Sequence, residues 1–105
     1  MALDLADLAS GGAFARAWRR PLDILVANKG IMALPERTVT DADWEMQLAT
    51  NFLGHFTLAG AHAALGDAGS ARIVVVSSGA QRWASFDFDA PYFEQRPYDR
   101  WVAYG

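Results

Sequence analysis

Strands and helices alternate along this 105-residue chain, and the fold class predicted is α/β with a parallel sheet. Three observations carry the prediction. LDILVAN (22–28) is a short apolar run bounded by Pro21 and Gly30, as expected of a strand buried on both faces. ARIVVVSS (71–78), with three consecutive valines, is the clearest strand. Between them Trp44, Leu48, Phe52 and Phe56 recur every fourth position, the period of a helix.

Taken in order, Leu3–Leu5 reads as the stub of a strand. Ser10 is the expected N-cap of a short helix whose buried face carries Phe14 and Trp18 and which ends near Arg20–Pro21. After the 22–28 strand, Thr40 and Asp43 resemble a capping box opening a helix over 41–65. Gly66, Asp67 and Gly69 turn the chain into the second strand, 71–77. Residues 79–97 form a loop with Pro91, Pro97 and the aromatics Trp83, Phe86, Phe88, Tyr92 and Phe93. YDRWVAYG (98–105) begins another helix, with Gly105 a formal helix stop.

Composition narrows the function. A hydrophobic fraction of 52% with net charge −3 fits one globular domain and argues against disorder. The mild acidity offers no footprint for nucleic acid. With no cysteine, disulfides and thiolate metal sites are excluded, and a cytoplasmic setting is the default. MALDLADLAS lacks the basic start and apolar run of a signal peptide, and no apolar run is long enough for a membrane span. His55 and His62 lie seven apart without a third ligand, so no metal site is expected and both read as interface or solvated residues.

In parallel α/β sheets chemistry gathers at the carboxyl ends of the strands. Here those ends carry Ala27-Asn28-Lys29-Gly30 and Ser77-Ser78, with Asn51 on the helix between and Tyr104 beyond. Singly, these residues suit bland roles: a capping Asn51, turn-forming serines, a packing Tyr104, and Asp4 as a charge near a helix N-terminus. Together with LDLADL (3–8), LDILVANKG (22–30), WEMQLATNFLGHF (44–56), ARIVVVSS (71–78) and YDRWVAYG (98–105), they run in a familiar order and spacing. The chain resembles the short-chain dehydrogenase/reductases, closest to their retinol-dehydrogenase-like branch.

The resemblance implies a partial Rossmann-like, doubly wound parallel sheet in three α/β/α layers, truncated at both ends. Residues 1–105 would be the middle portion of an NAD(P)-binding domain of roughly the 200–250-residue class. Its strands would be the family's third, fourth and fifth, leaving the Leu3–Leu5 stub unpartnered and the fourth strand with an open edge. The implied activity is NAD- or NADP-dependent carbonyl reduction or alcohol oxidation on a small apolar substrate. Asn51 would hold a water of the proton relay, Ser78 would hydrogen-bond the substrate oxygen, and Tyr104 would be the general acid/base. Asp4 and Leu5 would remain from the adenine-side contacts, with Asn28 and Gly30 lining the adenosine ribose and Lys29 between them at the cofactor, where its bulk would obstruct close approach.

The departures from the family pattern are specific. The glycine-rich turn that cradles pyrophosphate is absent from these residues. Lys29, the chain's only lysine, stands where the family keeps a small residue, and the separate lysine that the family carries four residues beyond the tyrosine would fall at 108, outside these residues. The resemblance therefore implies a chain inactive by itself. A second class of function stays open: a non-catalytic α/β module that forms homo-oligomers through helix 41–65 and an exposed strand edge.

Overall fold

The computed structural model describes residues 2–60 and 63–105. Its centre is the predicted pair of strands, β1 (Ile24–Ala27) and β2 (Arg72–Val75), hydrogen-bonded in parallel with Ile24 opposite Arg72 and Ala27 opposite Val75. The helical segments between the strands are α2 (Met46–Leu48), a π-helical turn (Ala49–Leu53), α3 (Gly54–Gly60) and α4 (Ala63–Asp67). Helix α1 (Leu8–Ala17) precedes β1; a 3₁₀ turn (Gly79–Arg82) and α5 (Arg100–Tyr104) follow β2.

The structure corrects several local expectations. Leu3–Leu5 is not a strand; it is an irregular lead into α1. The cap of α1 is Asp7, whose carboxylate accepts from the Ala9 amide at 2.9 Å, while Ser10 lies inside the helix and its hydroxyl accepts from the Asp4 amide. The predicted helix over 41–65 begins five residues late. Thr40 caps a turn instead, its hydroxyl accepting from Ala42 and Trp44, with Asp43 left-handed at φ 62. Glu45 is the true cap, its carboxylate accepting from the amides of Gln47 and Leu48 at 3.0 and 2.8 Å.

Burial also departs from the pattern. The 22–28 strand was expected to be covered on both faces, yet Ile24 and Val26 are more than half exposed, and every residue of β2 is exposed as well. The reason is the partner count: among the described residues each strand has one neighbour, and the face bearing Ile24, Val26 and Val74 is open. The apolar stripe of the central helix is likewise displaced, with Phe52 57% and Phe56 70% exposed and stacked on each other. What the helix buries is Gln47, Ala49, Thr50 and Gly54. The π turn contributes to this, since one extra residue rotates the residues after it relative to those before. Gly54 lies where α3 meets the backbone of Leu5 too closely for any Cβ.

Candidate active site

Parallel pairing delivers both strand ends to one edge. The Val76 amide donates to the Ala27 carbonyl at 3.0 Å, so Asn28 and Ser77-Ser78 leave the sheet side by side. Ser78 caps the 3₁₀ turn, its hydroxyl accepting from the Ala80 amide at 3.2 Å, which leaves its own O–H proton available to a ligand. Asn28, Lys29, Gly30, Asn51, Ser78 and Tyr104 all line one cleft of about 590 Å³, walled by Phe52, Phe56 and Val75. Four separate segments thus converge on one space.

Asn51 sits within the π turn and clamps the loop leaving β1. Its Oδ1 accepts from the Ile31 amide and its Nδ2 donates to the Ile31 carbonyl, both at 2.8 Å. A Cβ on Gly30 would come within 3.1 Å of that Oδ1, so the glycine lets the loop approach the amide. The His55 ring Nε2 lies 2.6 Å from the Lys29 carbonyl, one turn further along the helix. His55, partly exposed, thereby also holds this loop. His62 lies outside the described residues.

Tyr104 is half-buried on α5. Asp99 caps this helix by accepting from Trp101 and Val102, and those two bonds hold its carboxyl below the ordinary value of 3.8. Gly105 continues the helical bonding, its amide donating to the Trp101 carbonyl at 2.9 Å. It packs against Ala80, with a would-be Cβ only 2.6 Å from the Ala80 carbonyl oxygen. On its other side Tyr104 borders a second hollow of about 390 Å³, lined mainly by Leu48, Phe52, Phe86, Phe88, Phe93 and Val102.

Three neighbouring residues carry structure that the sequence reading did not single out. Among the described residues Glu45 and Gln47 are the most deeply buried large side chains, both polar. The Gln47 amide accepts from the Ala33 N–H at 2.8 Å and donates to the Tyr98 hydroxyl at 2.9 Å, which in turn donates to the Leu34 carbonyl. Burial first, then the Glu45 carboxylate, push the Tyr98 hydroxyl above the ordinary value of 10.0. The available signal was the spacing of Gln47 and Asn51, two amides one helical turn apart.

Asp4 and Leu5 stand apart from the cleft. Asp4 faces a depression with Ala6–Ala9, Val39–Ala42, Trp44 and Met46, and Leu5 is buried among α1, β1 and α3 residues.

The short chain dehydrogenase family model matches residues 3–92. A Streptomyces lividans protein named "Probable oxidoreductase" is 72% identical over 105 residues, covering 99% of this chain and 35% of that protein. Retinol dehydrogenase 13 of Mus musculus is 37% identical over 106 residues, covering 97% of the chain and 31% of that enzyme. A crystal structure of an uncharacterised protein from Mycobacterium paratuberculosis superposes with a TM-score of 0.78 at 35% identity, covering 97% of the chain and 36% of that structure. The chain spans about a third of the length of each of these proteins.

Proposed function

The chain belongs to the short-chain dehydrogenase family, in its retinol-dehydrogenase-like branch, and from that premise we propose that it carries the carbonyl-handling side of an NAD(P)-dependent oxidoreductase site. The observation that supports this best is the shared cleft, where Asn51, Ser78 and Tyr104 face the loop Asn28-Lys29-Gly30. The residues present suit a ribose of a nicotinamide dinucleotide: a cleft at the carboxyl ends of parallel strands, with Gly30 permitting close backbone approach. Asp4 and Leu5 lie outside this cleft, and their adenine-side role stays part of the proposal. Among these 105 residues no glycine-rich turn supplies a pyrophosphate cradle. When bound, the nicotinamide supplies or accepts the hydride.

The protein's part concerns the substrate oxygen. As a carbonyl becomes an alkoxide, the Ser78 hydroxyl donates a hydrogen bond to that oxygen, and Tyr104 delivers its phenolic proton to it. Asn51 fixes the 30–31 loop and leaves one amide hydrogen to hold a water. The apolar hollow on the far side of Tyr104 suits a small apolar ketone, aldehyde or alcohol, which the aromatics of 86–93 would enclose. We place the chain as part of a Rossmann-like domain, with a cytoplasmic setting expected from its lack of cysteine.

The test is a fluorescence titration with NADH and NADPH. The 105-residue chain alone is expected to bind neither with useful affinity. The same chain preceded by a strand, glycine-rich turn and helix of the family type is expected to bind one of them. Equal, tight binding to both polypeptides would overturn the assignment of the cleft. A second reading, a self-associating module, is favoured by the open sheet face and the exposed Phe52–Phe56 pair.

A further inference from the structure

We infer that Gln47 and Tyr98 are positioning residues: together they form a strut that sets where the helix bearing Tyr104 begins relative to Asn51 and the 31–34 loop. The inference rests on the reading of Tyr104 as proton donor and adds the device that aims it.

Three short hydrogen bonds make the strut. Gln47, 1% exposed, is bonded at both ends of its amide, to the Ala33 N–H at 2.8 Å and the Tyr98 hydroxyl at 2.9 Å. Tyr98 passes its proton's bond to the Leu34 carbonyl at 2.9 Å. With the Asn51 clamp on Ile31, residues 31, 33 and 34 are each held by a side chain from a distant segment. A tyrosine hydroxyl is protonated at neutral pH and burial pushes that of Tyr98 further in the same direction, so it stays a donor.

Backbone strain converges on the same place. Ala33 and Phe93 both adopt left-handed conformations, at φ 50 and 56, which a residue with a Cβ takes up only when its surroundings over-determine it. Ala33 receives the Gln47 bond; the buried Phe93 ring meets Tyr98 edge-on, with centroids 5.5 Å apart. The strut supplies part of that over-determination.

The position is then transmitted to Tyr104. Asp99, next after Tyr98, fixes the first turn of α5 through its two cap bonds. Gly105 abuts Ala80, two residues from Ser78, at the other end. A short helix pinned at both ends has little freedom to slide along its axis, so a shift at Tyr98 moves Tyr104.

The experiment uses fluorine NMR of the 105-residue chain labelled with fluorotyrosine, whose three tyrosines give three signals. Tyr98→Phe and Gln47→Leu are each expected to shift the Tyr104 signal toward its position in the urea-unfolded chain. The double variant should shift it no further than either single one, because both remove one strut. Leu65→Ala, on α4 outside the strut, lowers stability but should leave the Tyr104 signal in place. An unmoved Tyr104 signal in both single variants, additive shifts, or an equal shift in Leu65→Ala would overturn the inference. Where a variant does not fold, the unaltered chain decides: the Tyr98 hydroxyl proton should exchange slowly and show a cross-peak to the Gln47 amide, and a freely exchanging hydroxyl counts against the strut. No turnover is measured, so this result is independent of whether Tyr104 is the proton donor.

Discussion

At the scale of single residues, polar side chains with two engaged ends do most of the organising. Asn51 makes two 2.8 Å bonds to one residue, so its loss leaves both the N–H and C=O of Ile31 without that partner. Asn51→Leu should therefore destabilise the chain by about 1–3 kcal/mol, read by urea unfolding. A change below about half a kcal/mol would mean that water replaces the amide without cost. Asp99 gives a pH prediction whose sign follows from its depressed carboxyl. A carboxylate stabilised in the folded state contributes fully above its unfolded value and is lost as pH falls through the folded one. Helix α5 should thus loosen on acidification below the ordinary aspartate range, seen as movement of a fluorotyrosine signal from Tyr104. Asp99→Asn, which caps without titrating, should remove that dependence; an unchanged acid transition in the variant would place its origin elsewhere.

At the scale of elements, close approach matters more than apolar area. Helix α3 crosses the segment before α1 at Gly54, where an added Cβ would collide with the Leu5 carbonyl and lie 2.9 Å from the Leu5 Cβ. Gly54→Ala should cost about 1–3 kcal/mol despite the better helix propensity of alanine; a stabilised variant would show that the 3–7 segment moves aside freely. The same scale shows what the sequence could and could not reveal. The parallel pairing, its register at the 28/78 edge and the helical crossover segment were legible from two apolar runs and one period. So was the meeting of Asn28, Asn51, Ser78 and Tyr104, because the resemblance fixes which elements carry them. The start of α2 was not, since Thr40 is a favoured cap by residue type and Glu45 is not, and only the hairpin-like bonds of 38–46 bring Glu45 to the cap position. Nor was the roll of the central helix, because a π turn leaves no mark in hydrophobic period. Leu3–Leu5 alternates like a strand but has no neighbour to pair with, and an unpaired strand is not stable. Tyr98 looked like another aromatic; its importance lies in Gln47, 51 residues away.

At the scale of the whole molecule, the 105-residue chain is loosely closed. Its radius of gyration is 15.0 Å, where a compact chain of about 100 residues reaches about 13 Å. The open sheet face and the exposed Ile73, Val75 and Val76 are the kind of surface that another chain or segment covers. Concentration-dependent elution on gel filtration is expected for this chain, reduced by Val74→Lys on the open face; a concentration-independent monomer would remove the self-association reading. The central claim is that Tyr104 gives its proton to a substrate oxygen held by Ser78. It is tested most directly by hydride transfer from NAD(P)H to an apolar ketone in a polypeptide that adds the glycine-rich turn before this chain and a lysine at 108 after it. That protein should reduce the ketone, Tyr104→Phe should lower kcat by two to four orders of magnitude with cofactor binding kept, in line with the roughly 10²–10⁴-fold typical of general acid–base catalysis, and equal rates with Phe at 104 would contradict the account.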